Sequence, residues 1–118
     1  MEWIERMNRA VNHLEEHILE EPDLDMLGRL AGCSSHHFQR IFTYVSGMTL
    51  TEYIRKRRMS LAAADLRDGN VKVIDVAGKY CYDSPTAFNR AFQSVHGISP
   101  SEAKADSITL KAYPPIVF

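Results

Sequence analysis

Apolar residues recur at helical spacing through most of this chain of 118 residues, and the pattern predicts an all-α fold up to about residue 105. The first predicted helix runs from about Glu2 to Leu19 and ends before Pro22, because proline disfavours helix at the preceding residue. Its apolar positions form one stripe that we expect to be buried: Trp3, Met7, Ala10 or Val11, Leu14 and Ile18.

Two shorter helices are predicted next. Asp23 is a good N-cap for the first of them, which stops at Gly32, and Ser34 is a good N-cap for the second. Gly47 ends the second helix where a left-handed cap is expected. The apolar residues of that helix lie at i, i+3, i+4 and i+7 and should face the core: Phe38, Ile41, Phe42 and Val45.

The longest predicted helix opens at a capping box, Thr49-x-x-Glu52, and runs from Leu50 to about Asp68, ending at Gly69-Asn70. At a rise of about 1.5 Å per residue, such a helix is about 28 Å long. Its middle carries a run of four basic side chains, Arg55, Lys56, Arg57 and Arg58.

The chain repeats itself at an offset of fifty residues. Serine N-caps recur at Ser34 and Ser84, the latter followed by Pro85 at the first helical position, and a second capping box opens at Ser99. One supersecondary unit is therefore used twice. Alignment of 25–52 with 75–102 without a gap gives these identities: Asp25/Asp75, Gly28/Gly78, Ser34/Ser84, Phe38/Phe88, Arg40/Arg90, Phe42/Phe92, Val45/Val95, Gly47/Gly97 and Glu52/Glu102.

Each unit consists of a short helix, a tight turn and a second helix opened by a serine, which is the pattern of a helix-turn-helix. The second helix of such a unit buries one stripe and exposes a polar stripe that can reach base edges in the major groove of B-DNA. Arginine suits guanine, while glutamine and asparagine suit adenine. The candidate base-contacting residues are Ser35, His36, Gln39, Arg40 and Thr43 in the first unit, and Thr86, Asn89, Arg90 and Gln93 in the second.

The long helix between the units can hold the two recognition helices about 34 Å apart, which is one turn of the duplex. Two successive major grooves would then be read by one chain. Candidate phosphate contacts are the serine caps and the basic run: Ser34, Ser84, Arg55, Lys56, Arg57 and Arg58. The basic run has an alternative interpretation as an ordinary solvated helix face.

The net charge of −1 does not by itself favour a nucleic-acid partner, but the charges are unevenly distributed. Residues 1–28 carry two basic and eight acidic side chains, whereas residues 29–104 carry eleven basic and six acidic ones. No apolar run approaches the roughly 18 residues of a membrane span, and the charged N-terminus has no signal-peptide pattern. With cysteines only at unmatched positions, Cys33 and Cys81, we expect a cytoplasmic protein without a disulfide.

Four motifs together resemble the DNA-binding domain of AraC-type transcription regulators of bacteria, over residues 8–104. They are SSHHFQRIF, GMTLTEYIRKRRM, VIDVAGKYCYDSPTAFNRAF and the G-I-S-P end. The resemblance implies about seven helices in two helix-turn-helix subdomains, promoter binding, and activation through RNA polymerase. It also assigns base contacts to Ser35, His36, Gln39 and Arg40 in the first unit, and to Thr86, Asn89 and Arg90 in the second.

The sequence departs from the family pattern in the second unit. Cys81 stands where glycine is frequent, Pro85 occupies a usual contact position, and residues 100–104 lack the common P-x-x-Y-R ending. We therefore expect the first unit to carry most of the base specificity.

These features predict a DNA-binding domain at 1–105, with unit one at about 8–48, a linker helix at about 50–68 and unit two at about 73–104. Residues 106–118 are interpreted as a linker or as the start of a C-terminal effector-binding domain, with a frayed terminus as the alternative. Ile108, Thr109, Leu110 and Val117 have strand-like composition.

Other functions are less well supported by the residues. A helical protein-interaction module without DNA binding is the main alternative, favoured by the acidic first helix. His13 and His17 are spaced i, i+4, but no recognised zinc spacing is present, so no metal or cofactor is expected. No catalytic motif is found, and an enzyme is not expected. Cys33 lies near a helix N-terminus, which can lower a thiol pKa.

Overall fold

The computed structural model describes residues 2–67, 70–106, 110 and 112–118. This part of the chain contains seven α-helices and no strand, which confirms the predicted all-α class. The helices are α1 (Glu2–Glu16), α2 (Leu24–Ala31), α3 (Ser35–Ser46), α4 (Leu50–Leu66), α5 (Val73–Lys79), α6 (Pro85–His96) and α7 (Pro100–Asp106). The predicted end of the long helix at Gly69 lies outside the described residues.

The chain divides into two compact units. Unit 1 comprises residues 1–54 with 115–118, and unit 2 comprises residues 55–114. In unit 1, α1 packs on α2 and α2 packs on α3. Its core combines the predicted stripes of α1 and α3 with buried residues of α2 and of the start of α4: Met7, Ala10, Val11, Leu14, Ile18, Leu27, Phe38, Phe42, Leu50, Tyr53 and Ile54. Two residues of those stripes were predicted wrongly, since Trp3 is 46% and Val45 is 48% exposed.

Unit 2 has its own apolar core, built where α5, α6 and the C-terminal part of α4 contribute buried residues. Phe88 and Phe92 are fully buried, as the repeat predicts from Phe38 and Phe42, and their rings lie 5.8 Å apart. The other buried members are Met59, Ala62, Ala63, Leu66, Val76, Ala77, Tyr80 and Ala103.

The predicted helix caps are present at both repeats. Gly47 and Gly97 both adopt φ of +79° at the ends of α3 and α6, a left-handed conformation that glycine tolerates without strain. The capping boxes open α4 and α7: the backbone N–H of Glu52 donates to Thr49 Oγ1 over 3.1 Å, and that of Glu102 donates to Ser99 Oγ over 3.1 Å.

The gapless register of the repeat holds only from the serine caps onward. α3 and α6 follow the offset of fifty, with N-caps at Ser34 and Ser84. The first helices follow an offset of forty-nine, because α2 begins after Asp23 and α5 begins after Lys72.

The left-handed residue after the first helix is Gly32 in unit 1 and Cys81 in unit 2. It precedes the serine cap by two positions in unit 1 and by three in unit 2. The turn of unit 2 is therefore one residue longer, and the gapless alignment was wrong for α2 and α5. The buried counterpart of Gly28 is Ala77 rather than Gly78, which is exposed.

The C-terminal tail is packed, so its interpretation as a frayed terminus was wrong for residues 113–118. In unit 1, the side chain of Asn8 bonds both backbone groups of Phe118: Oδ1 accepts from its N–H over 2.7 Å, and Nδ2 donates to its carbonyl over 3.2 Å. The Tyr53 hydroxyl accepts from the N–H of Ile116 over 3.0 Å. Phe118 also lies edge-on to Phe42, with ring centroids 5.9 Å apart.

The other half of the tail contacts α4 within unit 2. The N–H of Tyr113 donates to Ser60 Oγ over 2.7 Å, and Arg57 donates to the Tyr113 carbonyl. Leu110 and residues 112–118 form no strand, whereas Ile108 and Thr109 lie outside the described residues.

Candidate nucleic-acid interface

The N-terminus of α3 is held closely against α2. Ser34 caps the helix, its Oγ accepting from the N–H of His37 over 3.1 Å. Gly28 in α2 is buried beneath the turn, and a Cβ atom there would lie 2.7 Å from Ser34 C and Ser35 N. Only glycine permits so close an approach, so this contact determines where the recognition helix begins.

The first recognition face consists of the polar residues of α3: Ser35, His36, Gln39, Arg40 and Thr43. His36, Arg40 and Thr43 are exposed, while Ser35 and Gln39 are half-buried. Gln39 Nε2 donates to the Ser35 carbonyl over 3.4 Å, a long bond that a base can replace. The Thr43 hydroxyl donates to the Gln39 carbonyl over 3.0 Å, within its own helix.

The second recognition face consists of Thr86, Asn89, Arg90 and Gln93 on α6, all of them exposed. Ser84 caps this helix, accepting from the N–H of Ala87 over 3.1 Å. Gln93 Nε2 donates to Asn89 Oδ1 over 2.7 Å. Adenine recognition by asparagine uses that oxygen as an acceptor, and the bond from Gln93 occupies one of its two lone pairs.

Arg40 and Arg90 form no ion pair within the described part of the chain, although acidic partners were the alternative to DNA contact. Both arginine side chains are exposed, and each guanidinium has five N–H donors. The geometry therefore leaves both side chains available to a bidentate acceptor such as guanine or a phosphate.

The chain is similar to known proteins in both sequence and fold. A family model described as a helix-turn-helix domain matches residues 27–106. The chain is 41% identical over 88 residues to the HTH-type transcriptional activator AarP of Providencia stuartii, covering 75% of this chain and 65% of AarP. It is 35% identical over 92 residues to the regulatory protein SoxS of Salmonella typhimurium, covering 78% of this chain and 86% of SoxS.

A solved structure has the same fold. The DNA-binding domain of AdpA, in complex with a target DNA, superposes with a TM-score of 0.74 at 27% identity, covering 85% of this chain and 90% of that one. The chain belongs to the AraC-type helix-turn-helix family. That family is one of transcription regulators and not a class of enzymes. The chain spans about two thirds of AarP, 65% of its length.

One departure from the AraC-type pattern has a structural cost. Cys81, where the family often has glycine, adopts φ of +72°, the left-handed region that a residue with a Cβ atom enters only with strain. It is the one non-glycine residue with positive φ in the described part of the chain. The turn before the second recognition helix is thus strained as well as longer.

The basic run on α4 is only partly available to phosphates. Arg57 is 7% exposed and bonded to the Tyr113 carbonyl, so its prediction as a phosphate contact was wrong. Four consecutive helical residues point in four directions, and one of them faces the core. Arg55, Lys56 and Arg58 are half-buried, and Lys56 Nζ lies 5.1 Å from the centre of the Tyr113 ring.

Polar contacts to α4 brace the first helix of the helix-turn-helix in unit 2. Asp65 of α4 accepts from the Tyr80 hydroxyl over 2.7 Å and from Lys79 Nζ over 2.9 Å. Burial and then the hydrogen bond to Asp65 raise the pKa of Tyr80 well above its usual range, so it remains a proton donor.

In unit 1, burial raises the pKa of the Cys33 thiol, so the lowering that its place near a helix N-terminus can cause is not found.

Tyr44 was not singled out by the sequence patterns, although it adjoins the first recognition face. Its side chain is 90% exposed, and with His37 and Arg40 it lines an open groove beside Thr49–Thr51 at the start of α4. The sequence signal that could have identified Tyr44 is its position four residues after Arg40, because residues at that spacing are neighbours on a helix surface.

Within the described residues, no group of three or more His, Cys, Asp or Glu side chains is placed to hold a metal ion. No described helix combines the length and apolar character needed to cross a bilayer. His17 instead bonds Glu20, its Nδ1 lying 2.7 Å from Oε2.

Proposed function

We propose that this protein is a sequence-specific regulator of transcription that inserts α3 and α6 into the major groove of promoter DNA. The observation that carries the proposal is the pairing of two serine-capped helices, each with an exposed polar face and an arginine that has no acidic partner in the described residues. AdpA, which shares the fold, is bound to a target DNA through its DNA-binding domain.

Each recognition face contains the donors and acceptors that the major groove requires. Arg40 and Arg90 suit the O6 and N7 atoms of guanine, and Gln39 and Asn89 suit the N6 and N7 atoms of adenine. The remaining candidates, which reach base edges or sugar–phosphate groups around these four, are Ser35, His36, Thr43, Thr86 and Gln93.

Phosphate contacts would position the two faces on the duplex. Ser34 and Ser84 accept a backbone N–H with Oγ and can still donate their hydroxyl protons to phosphate oxygens. Lys56 is the member of the basic run we place on a phosphate, since its cation lies over the Tyr113 ring face and has no carboxylate partner in the described residues. Arg55 and Arg58 are further candidates.

The two faces would enter successive grooves, about 34 Å apart. By similarity to AarP, which is named a transcriptional activator, we propose activation through contact with RNA polymerase. An effector-binding domain C-terminal to residue 118 would regulate binding or activation. The protein would act in the bacterial cytoplasm, because promoter DNA lies in that compartment. In vitro transcription from a bound promoter, with and without the protein, tests activation.

Selection of bound fragments from a random duplex pool tests the central proposal. The full chain should enrich one sequence with two conserved blocks separated by about ten base pairs. Enrichment of a single block would mean that only one face reads bases. No enrichment over the starting pool would overturn the proposal and favour a helical protein-interaction module.

Salt dependence gives a second test. A protein that closes about six to ten phosphate contacts loses about 10³–10⁵ in affinity between 50 and 200 mM salt. Lys56→Ala should weaken binding to all sequences alike and reduce the slope of log K against log salt by about one. Lys72→Ala removes an exposed cation at the N-cap position of α5, where its side chain makes no capping bond, and serves as the matched control. An unchanged slope for Lys56→Ala places that side chain off the duplex.

A further inference from the structure

Tyr44 has the largest exposed fraction among the large hydrophobic side chains of the described residues, 90%. It lies on α3 four residues after Arg40, so it is about 40° further around the helix and about 6 Å further along its axis. This position continues the row of the first recognition face that contains Arg40 by one turn of the helix.

The exposed side chains on the turns of α3 that precede Tyr44 are polar or basic, whereas Ile41 and Leu50, which line the same groove, are half-buried and buried. Arg40, His36, His37 and Thr43 occupy the preceding turns of α3, and all of them are exposed. A protein-docking patch of the usual kind would surround the aromatic ring with apolar neighbours. An exposed ring among hydrogen-bond donors and the cation of Arg40 instead fits a polyanion that also presents apolar groups, as duplex DNA does with thymine methyl groups and deoxyriboses.

The repeat provides an internal comparison. Ser94 occupies the position of Tyr44 in unit 2, where α3 and α6 share the offset of fifty. Its hydroxyl donates to the Ala91 carbonyl over 2.7 Å, within its own helix. The row of contacts that starts at Arg90 therefore ends one turn earlier than the row that starts at Arg40.

Resting on the proposed function, we propose that Tyr44 is a further DNA contact and that its ring packs on an apolar group of the duplex, beside the base pair met by Arg40. The ring supplies the contact, and the hydroxyl at its edge remains solvated. The first unit accordingly covers a longer stretch of its half-site than the second.

The test uses the full chain and a duplex recovered by selection, with the dissociation constant measured by fluorescence anisotropy. Tyr44→Ser, which installs the counterpart from unit 2, should weaken binding about tenfold. Tyr44→Phe should retain most of the affinity. Val117→Ser, at an 80% exposed apolar position of the same unit, is the matched control and should bind as the unaltered protein does.

Replacing each thymine near the Arg40 contact by uracil identifies the apolar group. If uracil at one thymine position lowers the affinity of the unaltered protein but not that of Tyr44→Ser, the ring contacts that methyl group. If no replacement lowers the affinity, the ring contacts a deoxyribose. Unchanged affinity for Tyr44→Ser overturns the inference and leaves a protein partner as the occupant. Equal losses for Tyr44→Ser and Tyr44→Phe also overturn it, since the hydroxyl would then carry the contact. Failure of the unaltered protein to bind any duplex instead overturns the proposed function.

Discussion

Alanine at Gly28 and at Gly78 should change stability in opposite directions. A Cβ atom on Gly28 would lie 2.7 Å from Ser34 C, 2.7 Å from Ser35 N and 2.8 Å from the Cys33 carbonyl oxygen. A Cβ atom on Gly78 would meet nothing within 4 Å. Both residues are helical, so both substitutions gain the same intrinsic helix propensity.

The magnitude follows from what the new methyl group would touch. All three close atoms around Gly28 belong to the backbone, so no side chain can rotate away and the turn itself must move. Overpacking of this kind costs about 1–3 kcal/mol. The backbone clash places Gly28→Ala near the upper end, and the propensity gain of about 1 kcal/mol reduces the net loss to about 2 kcal/mol. Gly78→Ala has no such cost and should stabilise by about 0.5–1 kcal/mol.

Two probes assign each effect to its own unit. Trp3 is the single tryptophan of the chain and lies in unit 1, so its fluorescence in a urea titration reports on the unit containing Gly28. Circular dichroism at 222 nm follows both units. Gly28→Ala should lower the melting temperature of unit 1 by roughly 10 °C, and Gly78→Ala should leave the Trp3 transition unchanged.

DNA binding provides the second readout. Because Ser34 and Ser35 begin the recognition helix, Gly28→Ala should also weaken binding at temperatures where the protein is fully folded. Gly78→Ala should bind normally. If Gly28→Ala were as stable as the unaltered chain, α2 would not approach the turn as closely as described, and the account of how α3 is placed would be refuted.

Three further predictions concern the strained turn, the tail and the recognition faces. Cys81→Gly should stabilise unit 2 by about 1 kcal/mol in urea denaturation by relieving φ of +72°, whereas Cys81→Ala should not, because it keeps a Cβ atom. Asn8→Ala should destabilise unit 1 by about 1–2 kcal/mol through loss of both bonds to Phe118, measured by Trp3 fluorescence. Arg40→Ala should cost about 1–3 kcal/mol of binding and relax preference at one base pair, and an equal loss on every DNA sequence would show that it meets only phosphate.

Local features of the fold were predictable because neighbouring residues determine them. The serine caps, the left-handed glycines and the capping boxes each depend on residues within four positions along the chain. The burial of Phe38 and Phe42 follows from helical periodicity in the same way. Exposure of the two recognition faces followed from those stripes, since the side opposite a buried stripe of a surface helix is polar.

Features set by distant residues were not predictable from the patterns. Arg57 is buried because the carbonyl of Tyr113 satisfies it, and those residues lie 56 positions apart. The docking of Phe118 depends on Asn8, 110 positions away. A basic run and a proline-containing tail give no local signal of such pairs. The sequence therefore predicts the same phosphate-contacting role for all four basic residues, and a linker for the tail.

The register error has a different cause. Matches such as Asp25 with Asp75 made a gapless alignment plausible, yet the structure places an extra residue in the second turn. The longer turn of unit 2 is consistent with the methyl group of Ala77, which is 2% exposed, at the position where unit 1 requires Gly28. A tight turn with glycine beneath it and a longer turn with alanine beneath it are thus two solutions for the same helix pair.

These differences make the two recognition faces unequal in ways that reinforce each other. Face one begins at a tight turn and continues to Tyr44, whereas face two begins at a strained turn and ends before Ser94. In face two, Oδ1 of Asn89 also accepts a bond of 2.7 Å from Gln93, which leaves it one free lone pair for a base. Any loss of that bond on binding reduces what the correct base contributes. We therefore expect α3 to set which sequence is bound and α6 to add affinity that depends less on sequence.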